Sequence, residues 1–311
     1  MKSSFVGVGS LKEAEELFLA DLTAQKYSPK SVSSYKYAIR NFISFSAEKK
    51  VTAAREVTEK HLEAYRLFMV ESEYAKYTIE LYIRAARLLF RFAEESGLIF
   101  MNPAGNLKMP KVPKKLHQIA TVEEITRFIE AVDTSDPPGV RDRTIIEVAY
   151  SAALRLNELL SLKLDNLDLR NSSLRIVGKG NKERILPLTD EAVKWLRKYI
   201  QSARKKLIGI EELPLKKEDE NCLWINNKGS RLRDYTLQCI LHETSAAAGL
   251  DYLIRTHDLR RACATHMLQN GAHPYQIQTL LGHSDVKHLS QYLKLSITDI
   301  KEAHKNSKLG E

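Results

Sequence analysis

Through the first hundred residues apolar positions recur every three or four residues, the spacing of one buried helix face. Leu11, Ala14, Leu17, Phe18 and Leu22 share such a face in a helix predicted from Leu11 to Lys26. Ser28-Pro29 starts a second helix, a hydroxyl cap followed by proline at the first helical position. Its periodicity places Val32, Tyr35, Ile39, Phe42 and Ile43 inward and Lys30, Lys36 and Arg40 outward. Thr58 opens a third helix through Leu62, Tyr65, Leu67 and Phe68; a fourth runs from about Lys76 to Ser96 and stops at Gly97. The pattern predicts an all-helical bundle of roughly four to five helices.

The periodicity breaks in NPAGNLKMPKVPKKLHQ, where three prolines and a basic run replace it. Proline lacks an amide donor and restricts the residue before it, so 103–118 reads as an extended linker between domains at 1–102 and 119–311. Thr121 and Glu124 then form a capping box that opens a helix to about Val132. Another helix, from about Val140, leads to ALRLNELLSLKLDNLDL. In that segment Arg155 and Glu158 stand one turn apart among Leu154, Leu156, Leu159, Leu160 and Leu162. A part-buried arginine destabilises unless it has partners, so Arg155 either emerges at a cleft or closes an internal ion pair with Glu158. The β-rich segments SLRIV and ERILPL flank Gly178-Lys179-Gly180-Asn181-Lys182, a hairpin turn without the spacing of a phosphate-binding P-loop. Helices from about Thr189 to Lys206 and Asp234 to Ala248 bracket a short predicted strand, CLWIN.

The richest stretch is THDLRRACATHMLQNGAHPYQIQTLLGHSDVKHLSQYL, 256–293. Thr256 is placed to cap a helix on which His257 and Arg260, three apart, share one face. Asn270-Gly271 stops it, Pro274 begins a short helix, and Gly282-His283 and Tyr292 follow. Clustered cations, an imidazole and a phenol suit chemistry at a phosphate. A last helix is predicted to start at Ser296, to pack on its own body or on a neighbouring subunit.

Composition narrows the partners. The net charge of +9 favours an anion, and residues 1–115 carry 19 Lys+Arg against 13 Asp+Glu, the remainder 29 against 26. Lys30, Lys36 and Arg40 form one basic row and Arg84, Arg87 and Arg91 another, suited either to a solvated face or to tracking a phosphate backbone. Because Arg91 has Glu94 or Glu95 to pair with, Arg84 and Arg87 are the stronger contact candidates. Cys222, Cys239 and Cys263, odd in number and widely spaced, fit reduced thiols rather than disulfides or a zinc site. The first residues do not read as a signal peptide, and no stretch has the ~18 consecutive apolar residues of a membrane span. A cytoplasmic protein is expected.

Taken together, ALRLNELLSLKLDNLD, VGKGNKERILPL, THDLRRACATHML, LLGH and QYL resemble the motifs of the tyrosine recombinase family, the integrase and Xer-like site-specific DNA recombinases. The resemblance implies a mainly α fold with a small β-sheet. It implies a two-domain C-clamp, a helical SAM-like core-binding domain followed by a mixed α+β catalytic domain. It implies strand exchange through a 3′-phosphotyrosine in a homotetramer on double-stranded DNA, with or without a second recombinase, at the nucleoid. Tyr292 is then the nucleophile, with Tyr275 a weaker rival, and Arg155 and Arg260 bind the phosphate oxygens. Lys179 matches the general acid, His257 a base or hydrogen-bond partner, His283 a transition-state donor and Glu158 an accessory acid. Lys182 in the hairpin turn joins Lys30, Lys36, Arg40, Arg84 and Arg87 as a DNA contact. No metal or other cofactor is implied, since a two-metal nuclease needs clustered carboxylates. Two alternatives share the pattern, a non-catalytic DNA-binding regulator and a DNA-relaxing enzyme of the topoisomerase IB type. The segment before Tyr292, VKHLSQYLKL, departs from the Thr-rich run of many relatives, which leaves open which subunit donates the tyrosine.

Overall fold

A computed structural model of the 311-residue chain describes residues 9–108, 118–177, 183–209 and 219–282. The chain divides into two compact units, Met1–Leu116 and His117–Glu311.

The first unit is helical: α1 (Leu11–Ala24), α2 (Pro29–Glu48), α3 (Glu59–Glu71) and α4 (Lys76–Glu95), with a single 3-10 turn at Ala54–Glu56. Three starts are held by side-chain caps: Ser10 Oγ accepts from the Glu13 N–H, Ser28 Oγ from the Ser31 N–H and Thr58 Oγ1 from the His61 N–H. The core is aromatic, with the Phe42 ring 5.1 Å from that of Tyr65 and 5.7 Å from that of Phe90. The Tyr65 hydroxyl, carried into this core, donates to Asn41 Oδ1 at 2.8 Å. Past α4 the backbone does not run straight out as an extended linker. Asn102 Oδ1 accepts the Ala104 N–H at 2.8 Å, and Ala104 and Leu107 are buried in the same core. This unit therefore extends through Leu107, beyond the 102 expected from the prolines; residues 109–117 lie outside the described ones.

The second unit contains α5 (Val122–Glu130), α6 (Pro137–Ser151), α7 (Leu156–Leu160), β1 (Leu167–Asp168), β2 (Ser173–Val177) and β3 (Glu183–Pro187). It continues with α8 (Asp190–Lys198), a π-helical turn at Tyr199–Ala203, α9 (Arg204–Ile208), α10 (Asp234–Ala247), α11 (Thr256–Gln269) and α12 (Pro274–Leu281). The Thr121–Glu124 capping box closes in both directions, at 2.8 and 3.2 Å. Helix α6 begins before Val140 because Asp136 Oδ1 accepts the Gly139 N–H at 2.7 Å. The strands form an antiparallel meander, order β1-β2-β3, with Leu174 opposite Leu186 and Ile176 opposite Arg184. Leu174, Ile176 and Leu186 put one face of the hairpin into the core.

Among the described residues the predicted strand CLWIN does not form a ladder. It makes isolated bridges there, Lys163 with Cys222 and Ile225 with Arg231. Side chains occupy the backbone groups a neighbouring strand would need: Tyr199 Oη donates to the Leu223 carbonyl and accepts from the Ile225 N–H, and Arg204 donates to the Cys222 carbonyl. Trp224, fully buried, donates its indole N–H to the Leu159 carbonyl at 2.8 Å, fixing the end of α7. Cys222 and Cys263 are buried, Cys239 half-buried, and all three are free thiols. Among the described residues no helix is long and apolar enough to cross a membrane.

Candidate active site

Helix α7 starts at a charged residue rather than at a hydroxyl. Arg155 is its N-cap, and Glu158 one turn later accepts the Arg155 N–H on Oε2 at 2.8 Å. The same carboxylate takes the Arg155 guanidinium on Oε1, also at 2.8 Å, so the predicted pair forms. It is not a closed structural pair, because Glu158 is 7% exposed whereas the Arg155 side chain keeps 39% of its surface open. Two more guanidiniums converge on that carboxylate. Arg184 Nη2, from β3, lies 3.1 Å from Oε2, and Arg260 Nη1, from α11, lies 3.9 Å from it. Arg260 is 2% exposed and is held further by backbone carbonyls, Nη1 donating to Ala153 at 2.6 Å and Nη2 to Leu281 at 2.5 Å.

One carboxylate thus organises three arginines from three elements. Burial by itself would raise the Glu158 carboxyl, but the Arg155 N–H, the Arg155 guanidinium and Arg184 outweigh it and hold the group below the usual glutamate range. Arg184 is drawn down by burial, against the pull of Glu158. Arg155 and His257 line one cleft of about 550 Å³ with Leu156, Gln238, Arg255 and Thr256. The predicted Thr256 cap is corrected: Arg255 is the N-cap, and Asp258 Oδ2 accepts its N–H at 3.0 Å. Thr256 sits at the first helical position and is buried, which still leaves His257 exposed at the cleft. Tyr275, the rival phenol, is 70% exposed in the first turn of α12.

Comparison with known proteins places this arrangement. The sequence model of the Phage integrase family matches residues 118–298, and that of its N-terminal SAM-like domain matches residues 16–97. The chain belongs to the phage integrase family. It is a site-specific recombinase of the tyrosine type. It is 31% identical over 288 residues to the tyrosine recombinase XerC of Herpetosiphon aurantiacus, spanning 92% of each chain. It is 28% identical over 277 residues to the tyrosine recombinase XerD of Staphylococcus haemolyticus, covering 89% of this chain and 92% of that one. Among solved structures, XerH site-specific recombinase bound to a palindromic difH substrate in a post-cleavage complex superposes with a TM-score of 0.72 at 21% identity, over 95% of this chain and 84% of that one. That likeness is one of fold.

Within the recombinase, the structure brings Arg155, Glu158 and Arg260 into one network and puts His257 at the cleft beside Arg155. Lys179, Lys182, His283 and Tyr292 lie outside the described residues. Arg184 and Arg255 were not singled out from the sequence. The signal for Arg184 was present in the alternation of β3, where an arginine falls on the inward face while Ile185 is 72% exposed. In the SAM-like unit, Lys30, Lys36 and Arg40 are exposed, but Arg40 is paired with Glu15 at 2.8 Å. Arg84 pairs with Glu80, whereas Arg87 and Arg91 make no ion pair among the described residues. Arg91 does not find Glu94, whose Oε1 accepts the Asn102 N–H at 3.0 Å. The pairing is therefore the reverse of that expected, on Arg84 rather than on Arg91. Arg84, Arg87 and Arg91 line one cleft of about 440 Å³ with Asn102 and Gly105. No group of three His, Cys, Asp or Glu suited to a metal ion occurs among the described residues.

Proposed function

We propose that this recombinase cuts and rejoins double-stranded DNA through a covalent 3′-phosphotyrosine at Tyr292, in a homotetrameric synapse, alone or with a second recombinase. The observation that supports it is the Glu158-centred gathering of Arg155 and Arg260, with Arg155 open to the cleft that His257 shares. The Tyr292 oxygen attacks the backbone phosphorus and the P–O5′ bond breaks. Lys179 gives a proton to the departing 5′ oxygen, and His257 takes the phenol proton. Arg155 and Arg260, with His283, meet the charge that builds on the non-bridging oxygens. The 3′-phosphotyrosine keeps the phosphodiester energy, so attack by a 5′-hydroxyl of the partner strand reverses every step without ATP. The first unit grips DNA through Lys30, Lys36 and the α4 arginines, with Lys182 adding a contact from the hairpin turn. The protein acts on duplex DNA at the nucleoid, in the cytoplasm.

Genomic fragments covalently joined to the protein, recovered under denaturing conditions and sequenced, test the reading and identify the site. Wild type is expected to enrich one locus as adduct, and Tyr292→Phe to lose the adduct entirely. Equal adduct from Tyr292→Phe would overturn the nucleophile assignment, and Tyr275→Phe would then be the next variant to lose it.

A further inference from the structure

Arg184 is the one member of the Glu158 network that the catalytic scheme leaves without a task. It stands opposite Ile176 on the inward face of the β2–β3 hairpin, with its side chain 16% exposed. An arginine placed where the alternation calls for an apolar residue is a local departure that marks a special site. Its Nη2 meets Glu158, while its buried Nε has no hydrogen-bond partner among the described residues. The plane of the guanidinium lies against Gly282: a Cβ there would stand 2.8 Å from Nη1, 2.9 Å from Cζ and 3.2 Å from Nε. Gly282 holds φ +61° as the C-cap of α12 and is the residue before His283 in sequence. Arg260 grips the carbonyl one residue earlier, at Leu281.

We propose that Arg184 is a positioning residue of the recombination site: it holds Glu158 ionised and aimed at Arg155 and Arg260 while seating the Gly282 turn that leads into His283. This rests on the reading of the Arg155–Arg260 site given above. Arg184 leaves the strand that exits the Lys179 turn, so the hairpin, the two phosphate-binding arginines and the end of α12 are tied through one carboxylate. The charged groups facing Glu158 are Arg155 from its own turn, Arg184 from β3 and Arg260 from α11. Loss of any of them leaves the carboxylate easier to protonate, and a neutral Glu158 no longer orders the remaining pair.

The test has a DNA-free arm and a DNA arm. In the first, the Glu158 side-chain carboxyl is titrated by carbon NMR, assigned by its disappearance in Glu158→Gln. Arg184→Gln is expected to raise the titration midpoint, and Arg184→Lys, which keeps a cation, to return it toward wild type. In the second, single-turnover cleavage of a nicked suicide duplex carrying the captured site is followed against pH. Arg184→Gln is expected to slow cleavage about 10- to 100-fold with half-saturating DNA changed less than about twofold, and to move the acid limb to higher pH. In a Glu158→Gln background the same change should cost less than it does in wild type, because the path through the carboxylate is already lost and only the seat at Gly282 remains. An unmoved midpoint in Arg184→Gln overturns the proposal, as does a cleavage loss that simply multiplies with that of Glu158→Gln. If Arg184→Gln does not fold, Arg184→Met is titrated in its place under the same criteria. If wild type cleaves no DNA, the recombinase chemistry has failed, and the titration alone still decides whether Arg184 acts on Glu158.

Discussion

Arg84, Arg87 and Arg91 on α4 and Arg155, Arg184 and Arg260 around Glu158 are two triplets of one residue type held in opposite ways. The first lines an open cleft, with Glu80 on Arg84 as its ion-pair partner. The second is tied to a carboxylate that is 7% exposed and to the carbonyls of Ala153 and Leu281. Arg84 and Arg91 are exposed and Arg87 half-buried, and guanidiniums at an open cleft keep rotamers and hydration, which suits a polyanion whose charge is spread along a strand. Guanidiniums bonded to a buried carboxylate are fixed before the ligand arrives, which is what stabilising charge at a single phosphorus requires. Identical side chains therefore carry different information, and it lies in their second partners rather than in their charge.

The contrast is sharpest at the two carboxylates. Glu158→Ala removes the anion that Arg155 and Arg184 pair with and that Arg260 approaches, and breaking a buried pair in this way destabilises by about 3–5 kcal/mol. The melting temperature of the variant should drop by on the order of 10 °C. Glu80→Ala removes a partner from an exposed pair and should change stability by less than about 0.5 kcal/mol. Calorimetry on both variants reads the difference. Equal losses would mean that the Glu158 cluster is as solvated as the α4 row.

A smaller effect appears with pH. His266 on α11 bonds the Ala120 carbonyl through Nε2 at 3.0 Å and meets Tyr150 Oη through Nδ1 at 2.8 Å. With Nε2 donating, Nδ1 accepts from the Tyr150 hydroxyl, so the geometry is that of a neutral ring. Burial lowers its pKa, against the Ala120 carbonyl and Glu123, which raise it. Because the folded-state pKa lies below the unfolded value of about 6.5, His266 adds its full stability above that pH and loses it as pH falls further. His61 in the first unit is also lowered, by burial and then by Lys49, so acid weakens both units. His266→Gln, which preserves one donor and one acceptor, should flatten the fall in stability of the second unit between pH 7 and 5 in urea titrations. An unchanged fall would show that His266 does not titrate in this window.

How much of this was legible in the sequence depended on whether the signal was local. Caps at Ser28, Thr58 and Thr121 and the stops at Gly97 and Gly271 act within one turn, and the sequence places the helix boundaries to within a few residues. CLWIN has strand composition, yet Tyr199 and Arg204, some twenty residues away, satisfy its backbone; no local rule sees that. Ala104 and Leu107 look like linker because proline punctuation dominates the segment, whereas burial in the core decides their place. At the site, Arg155 with Glu158 was readable from i,i+3 spacing, and His257 with Arg260 likewise. Arg184 was not, because its partner lies 26 residues away and only the reversed polarity of Arg184 and Ile185 hinted at it.

The smallest expected effect is on DNA, and it discriminates within the α4 triplet. Each guanidinium that neutralises a phosphate releases condensed counterions, so its loss should flatten log K against log salt by roughly 0.9 per contact. Arg84 starts from an ion pair with Glu80 and must leave it to reach a phosphate, whereas Arg87 and Arg91 have no ion pair to break among the described residues. Arg87→Ala and Arg91→Ala should therefore each weaken binding to nonspecific duplex and flatten the slope by nearly one unit, and Arg84→Ala by less. Glu80→Ala, which releases Arg84, should steepen the slope above wild type. Fluorescence anisotropy with a labelled duplex across 50–300 mM salt measures all four; slopes unchanged in every variant would remove α4 from the DNA interface.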